Sequence, residues 1–479
     1  MSLTLTPMLA PQHKLRLWAG LLASGRPAQP AWTLGGNPAQ PRWLRAWAPV
    51  QPGLPSDTPR VWCGVAEFDV AAGSHQVTAH CAGMGDGLTV STLPGTVGAG
   101  AFGELRILLV SCYYRGEDEQ GRIARQIAGL KLQPDLTLLM GDQVYLDLPT
   151  DRNFPNQPHW LARHFEQAYW NNWQPRHGAF TPGFGEVMRL APWLGVADDH
   201  EFWNNAPHVS PIIQNSWKAD GRSNWWNTAL NCYRAFQAPA AGHDGQPHAV
   251  GDPYTFDIGQ LSFFVADTRS RRDADAMQAM DNSALARLEQ WVTTSIAQRR
   301  TGVIVTGQPL LQARAGRVGK ITDYALADYG DYGRWLAALN ARAAAGLPTV
   351  LLTGDVHYGR VSQVIDDRAG GWPAHTEVIA SPTSLVRTLG ADDWASINPL
   401  ADPVWPRHSN GEAPPPWLSG DKRHRIRLRH LQKGDHVALL RFRPRGGALS
   451  LQVDYFPLHP DPTHAVPRRV SLDLTPRPF

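Results

Sequence analysis

The sequence predicts an α/β protein with a small all-β domain at its N-terminus. Three observations carry this. From Leu105 onward, apolar runs of strand length alternate with stretches of helical spacing, the pattern of an α/β domain. Residues 1 to 100 instead hold short runs rich in β-branched and aromatic residues, bounded by Gly, Pro and Ser. A chain of 479 residues also exceeds what one ordinary core encloses, so two domains are the natural expectation.

Taken in order, TPRVWCGVAEFDV and HQVTAHCAG are strands of the first region, which reads as a small β-sandwich. LRILLV (105–110) is a buried strand, and DEQGRIARQIAGL after it is an amphipathic helix. The following strands are DLTLLM (135–140), WLGVA (193–197), LSFFVA (261–266), GVIVT (302–306), TVLLT (349–353) and TEVIA (376–380). NSALARLEQWVTTSIA and DYGRWLAALNARAAA have helical spacing. A Pro-rich stretch from Asp402 to Trp417 marks a loop or linker. HVALLRFRPRGGALSLQVDYF reads as a hairpin turned by Gly446-Gly447. The expected division is residues 1–100, a catalytic domain over 101–400, and an extension over 401–479 whose hairpin completes the catalytic domain.

Composition excludes several classes. Hydrophobic residues make up 43% and charged residues 18% of the chain, a globular composition, and no apolar run reaches the roughly 18 residues of a membrane span. The N-terminus lacks a charged leader followed by an apolar stretch and a cleavage site, so a cytoplasmic location is expected. Net charge is only +3, with no Lys-rich tail for nucleic acid. The run Lys422 to Arg429 reads as a half-exposed strand or a solvated face before it reads as a phosphate-binding surface. Four cysteines, Cys63, Cys81, Cys112 and Cys232, are too few for a disulfide scaffold, although Cys63 and Cys81 are close enough in sequence to pair.

Open α/β sheets bind ligands at the carboxyl ends of their strands, and polar clusters fall there repeatedly. Ser111-Cys112 follows the first strand, and Gly141-Asp142-Gln143-Val144-Tyr145 the second. Asp198-Asp199-His200-Glu201, Asp267-Thr268-Arg269, Gly307-Gln308 and Gly354-Asp355-Val356-His357 follow later ones. A single Asp after a strand commonly just caps the next helix. Clusters after six successive strands point instead to one shared site. Carboxylates, imidazole, phenolate and thiolate are metal ligands, and several acids brought together repel without a cation. No GxxxxGK loop suits a nucleotide phosphate, and no GxSxG elbow suits a serine hydrolase.

The Gly141–Tyr145 run matches the GDxxY motif of purple-acid-phosphatase-like metallophosphoesterases. Asp198–Glu201 resembles their GNHE motif with Asp for Asn, and Gly354–His357 their GHxH motif with Asp for the first His. With Ser111-Cys112, Asn204-Asn205 and Asp267–Arg269, the whole resembles the alkaline phosphatase D (PhoD-type) branch. The resemblance implies two stacked sheets flanked by helices (αββα) after an immunoglobulin- or fibronectin-like domain. It implies one metal subsite of Cys112, Asp142, Tyr145 and His357, suited to Fe(III). A second, oxygen-rich subsite would share Asp142 and add Asp199, Asp355 and Asn204 or Asn205, suited to Ca²⁺, Mn²⁺ or Mg²⁺. His200 would protonate the leaving oxygen or steady the phosphate, and Arg269 would clamp it. Arg271 and Arg272 are neighbours, and a surface charge is the plainer reading open to any of the three.

The expected reaction is hydrolysis of phosphodiesters or phosphomonoesters, small or polymeric, by in-line attack of metal-bound hydroxide on phosphorus. No nucleic-acid partner and no obligate protein partner is indicated. Two rival readings are a metal-dependent hydrolase of a non-phosphate bond and a non-catalytic binding protein that retains the fold. The Trp-rich segment Ser216–Phe236 lies where a substrate loop would fall, although core packing is the plainer use of most of its aromatics.

Overall fold

The computed structural model describes residues 2–55, 57–148, 154–177, 181–312, 314–316, 323–366, 370–384, 424–458 and 467–477. The Pro-rich stretch Asp402–Trp417 lies outside them. Strands Leu105–Val110, Leu136–Met140 and Trp193–Val196 pair in parallel at the middle of a ten-stranded sheet. Strands Leu261–Val265, Thr301–Val305, Thr349–Thr353 and Trp372–Ile379 run parallel within a second, seven-stranded sheet.

The alternation of side chains along these strands makes four layers. Ile107, Leu109, Leu138 and Met140 from the first sheet meet Phe263, Val303, Val305 and Leu352 from the second. The opposite faces carry helices. Leu108, Val110 and Leu139 pack under Ile123, Phe165, Tyr169 and Phe236, while Phe264, Ile304 and Leu351 pack under Leu288, Trp335 and Leu339. This is the αββα order the resemblance implies.

The ends of the chain are built into the first sheet. Leu3–Met8 joins it in parallel through Met8 and Trp193, and Lys14–Ala23, Arg60–Asp69 and Arg42–Pro49 extend it. A four-stranded sheet, Asn37–Ala39, Ala31–Leu34, Ser74–Cys81 and Met84–Ser91, accompanies these strands, and Leu5, Leu17 and Phe68 pack with Trp32 and Val77 in their shared core. The N-terminal sandwich therefore shares a continuous sheet with the rest. At the other edge, the His436–Arg445 and Ala448–Pro457 hairpin turns at Gly446 and Gly447, with φ of 53° and 84°. It pairs antiparallel with Leu105–Val110. The described part of the basic run, from His424 on, lies in an edge strand, His424–Gln432, of the second sheet. All four cysteines are buried free thiols.

One expectation changes. The Trp-rich segment is mostly a helix, Ala219–Phe236, rather than a loop. Trp225, Ala229, Cys232, Tyr233 and Phe236 recur at helical spacing and are buried, and Trp226 stacks on Phe202 at 4.1 Å. Only Trp217, before the helix, is strongly exposed.

Candidate metal centre

The parallel strands of both sheets deliver their carboxyl ends to one place, and the backbone there turns abruptly. Cys112, Asp142, Asp355 and His357 all have positive φ, between 51° and 68°. Side chains other than Gly rarely adopt this conformation, and such residues cluster at functional sites. Two glycines allow the close approach. A Cβ on Gly141 (φ 85°) would meet the Asp198 Cβ at 2.5 Å, and one on Gly354 would meet the Met140 carbonyl at 2.5 Å.

Glu201 ties the turns together. Its fully buried carboxylate accepts from the backbone N–H groups of Asp142 (2.9 Å), Gln143 (2.7 Å) and Asp198 (2.8 Å). Burial raises its pKa to about 7, against these hydrogen bonds. One side chain thereby fixes two strand ends relative to each other.

The acids converge closely. Ligand oxygens or nitrogens of Asp142, Asp199 and His200 lie within 4.8 Å of one another, as do those of Asp142, Asp198 and Asp355 and of Asp198, Asp199 and Asp323. The Cys112 Sγ is 3.5 Å from Asp142 Oδ2 and receives the Ser381 hydroxyl at 3.1 Å. The Tyr145 ring lies 4.3 Å from the His200 ring, and its hydroxyl is buried without a hydrogen-bond partner. His357 follows Asp355 on the same loop, its backbone N–H held by the Ser381 hydroxyl at 3.1 Å. No group of three such ligand atoms among the described residues includes His357 or Cys112.

His200 has a partner that the sequence did not suggest. Its Nδ1 lies 2.8 Å from Asp147 Oδ1, and the other Asp147 oxygen accepts from the Asn204 N–H at 2.7 Å. Burial pulls the His200 pKa down, but Asp147, Asp199 and Asp142 together hold it well above the ordinary value. Asn204 Oδ1 accepts from the Ser210 hydroxyl at 3.3 Å. Asn205, at φ 67°, gives its N–H to Asp199 at 2.6 Å.

Arg269 is fully buried. It bonds Asp198 through Nε at 2.9 Å, Asp323 at 2.6 Å and the Ala206 carbonyl at 2.7 Å. A guanidinium so enclosed holds carboxylates of two chain segments in place. Asp323 is a second residue that sequence reasoning missed. Burial pushes its pKa up, yet Arg269 and Arg272 bring it below the usual value. Gln308 joins this network, accepting from Arg272 at 2.6 Å and lying 3.4 Å from Asp355.

These residues fit a metal. Burial first, then neighbouring acids, hold Asp142 and Asp355 well above the carboxylate range, and Asp199 is raised to about 6 by burial. A multivalent cation would keep such a set ionised. The unpartnered Tyr145 oxygen is a further donor. His357, pulled down to about 4 by burial, is neutral near pH 7, as a ligating imidazole must be.

The chain matches the family model described as PhoD-like phosphatase over residues 107–399. Among solved structures, one described as the structure of PhoD aligns at 14% identity with a TM-score of 0.63, covering 99% of this chain and 90% of that one. That overlap shows a common fold. A dimetal phosphatase from Danio rerio aligns at 9% identity and TM-score 0.39, over 78% of this chain and 99% of that one. No curated protein sequence matches this one.

Proposed function

The chain belongs to the PhoD-like phosphatase family, and from that premise we propose which residues perform its metal-dependent phosphoester hydrolysis, and on what. Cys112, Asp142, Tyr145 and His357 would hold one metal, with iron as the best fit to thiolate and phenolate. Asp142, Asp199 and Asp355 would hold a second, harder ion such as Ca²⁺, Mn²⁺ or Mg²⁺, with Asn204 or Asn205 beside it. Such a pair supplies Lewis acidity toward phosphoryl oxygen and toward water.

The chain's own residues supply the rest. His200, held protonated by its acidic neighbours, donates a proton from Nε2 to the departing ester oxygen while Asp147 fixes its ring through Nδ1. Arg269 positions Asp198 and Asp323 behind the second subsite. Glu201 keeps Asp142 and Asp198 at a fixed separation, and burial of the whole cluster lowers the local dielectric and strengthens each of these charges.

The single observation that carries this reading is the convergence of Asp142, Asp198, Asp199 and Asp355 beside an unpartnered Tyr145 oxygen. Substrates are phosphodiesters, phosphomonoesters or both. Hydrolysis of p-nitrophenyl phosphate and its bis-ester, before and after chelation and metal return, tests it. Turnover lost to chelation and restored by metal supports the reading. Turnover that survives complete metal removal refutes it.

A further inference from the structure

Beside Tyr145 a groove begins that the hydrolysis itself does not require. A cavity of about 200 Å³ has Tyr145 on one side and His164, Gln167 and Asn171 on the other. A larger one, of about 680 Å³, shares His164 and Gln167 and continues past Arg163 and Trp160. These residues lie on the Pro158–Trp173 helix. Trp160, Arg163, His164, Gln167 and Asn171 recur at spacings of three and four, so one helix face floors both cavities. From Asn171 to Trp160 that face extends about 16 Å.

The chemistry changes along it. Nearest Tyr145, Gln167 gives its amide to Asn171 at 2.7 Å. Next comes Arg163, exposed and without an ion-pair partner among the described residues. At the far end Trp160 is 37% exposed and stacks on His164, with centroids 4.8 Å apart and planes at 18°. This partly exposed ring, steadied by the stacked imidazole and by Phe154 at 5.7 Å, leaves surface for stacking with another ring. The Arg163 guanidinium, one turn nearer the centre, offers a fork for an anionic oxygen.

We propose that this groove is a substrate subsite for the organic arm of the ester, selecting arms that carry a planar aromatic ring and a second anionic group. The ring stacks on Trp160 and the anion pairs with Arg163, while the reacting phosphate lies at the metal centre. This rests on the phosphoesterase reading above and adds to it a substrate class.

Three diesters separate the parts of the claim. Bis(p-nitrophenyl) phosphate has rings attached directly to the phosphate and no second anion. Thymidylyl-thymidine adds a distant ring, and its 5′-phosphorylated form adds the second anion. The wild type should favour the phosphorylated dinucleotide over the plain one by roughly tenfold in kcat/KM, read as cleavage of the internucleotide diester alone. Arg163→Glu should erase that preference, and Trp160→Ala should lower both dinucleotides by about tenfold, the usual scale for a stacking contact. Neither change should alter the bis-ester. Titration calorimetry of the phosphorylated dinucleotide into the Asp142→Asn protein gives the same comparison without turnover, with affinity falling on adding either change. If both substitutions leave dinucleotide turnover and binding unchanged while the bis-ester is hydrolysed, the subsite is refuted and the hydrolase stands. If no ester is turned over but the dinucleotide binds through Trp160 and Arg163, the hydrolase reading fails and the groove stands.

Discussion

Two buried carboxyl groups show how a single residue sets both chemistry and stability. Asp147 was not legible in the sequence, because it lies beyond the GDxxY run and its use appears only when His200 folds over it at 2.8 Å. A buried acid five residues after Asp142 was the available signal. Because Asp147 raises the His200 pKa, Asp147→Asn lets that proton leave at a lower pH. The alkaline limb of the kcat profile should move toward acid, with activity at high pH down by about tenfold or more. An unshifted limb would count against His200 as the proton donor. Glu166, on the Pro158–Trp173 helix, accepts from the Val61 N–H at 2.6 Å, and burial raises its pKa to about 7. Its folded form binds the proton more tightly than the unfolded chain does, near pH 4.5. Stability from this group is therefore complete below about 4.5 and is lost as pH rises to about 7. Glu166→Gln should remove that loss, gaining up to roughly 3 kcal/mol relative to wild type between pH 5 and 8. Parallel denaturation curves at the two pH values, with no change in the difference, would contradict it.

At the scale of elements, the strands that carry the site were the most legible part of the chain. Each of Leu105–Val110, Leu136–Met140, Thr301–Val305 and Thr349–Thr353 is buried along its whole length, so each reads as an unbroken apolar run with a polar cluster behind it. The Ala219–Phe236 helix was hidden for the opposite reason. Its buried stripe is made of Trp, Cys and Tyr amid Gly and Asn, residues that do not favour helices, and packing against the first sheet overrides that preference. Asp323 was missed because it follows none of the apolar runs that the sequence marks as strands, although a buried Arg269 needs carboxylates to satisfy it. The glycines at the strand ends matter as spacers. Gly141→Ala places a methyl group 2.5 Å from the Asp198 Cβ at φ 85°, so it should cost about 3 kcal/mol and displace Asp142. Denaturant unfolding and bis-ester turnover should both fall. Wild-type values in both assays would show that the two strand ends do not need this approach.

On the scale of the molecule, one ten-stranded sheet runs from the N-terminal strands through the middle of the chain to the C-terminal hairpin. Pairing of Met8 with Trp193 on one side, and of Ala438 to Phe442 with Leu105 to Leu109 on the other, makes the first sheet continuous from the N-terminal strands to the C-terminal hairpin. Sequence patterns report which face a strand buries, not which strand lies beside it, so the pairing partners were beyond reach, although the C-terminal hairpin was expected to complete the catalytic domain. Calorimetry should show one cooperative transition for the whole chain. Two well-separated transitions would mean that the shared sheet does not couple its parts. If the buried acids of both sheets are gathered to hold metal, the purified protein must carry it. Elemental analysis of the purified protein beside Asp142→Asn tests this most directly, since Asp142 is common to both proposed subsites. The wild type should carry metal near one to three ions per chain, by analogy with two-metal sites, and the variant should lose most of it together with phosphoester turnover. A wild type that binds no metal after iron, calcium and manganese are supplied, yet is folded, would contradict the claim.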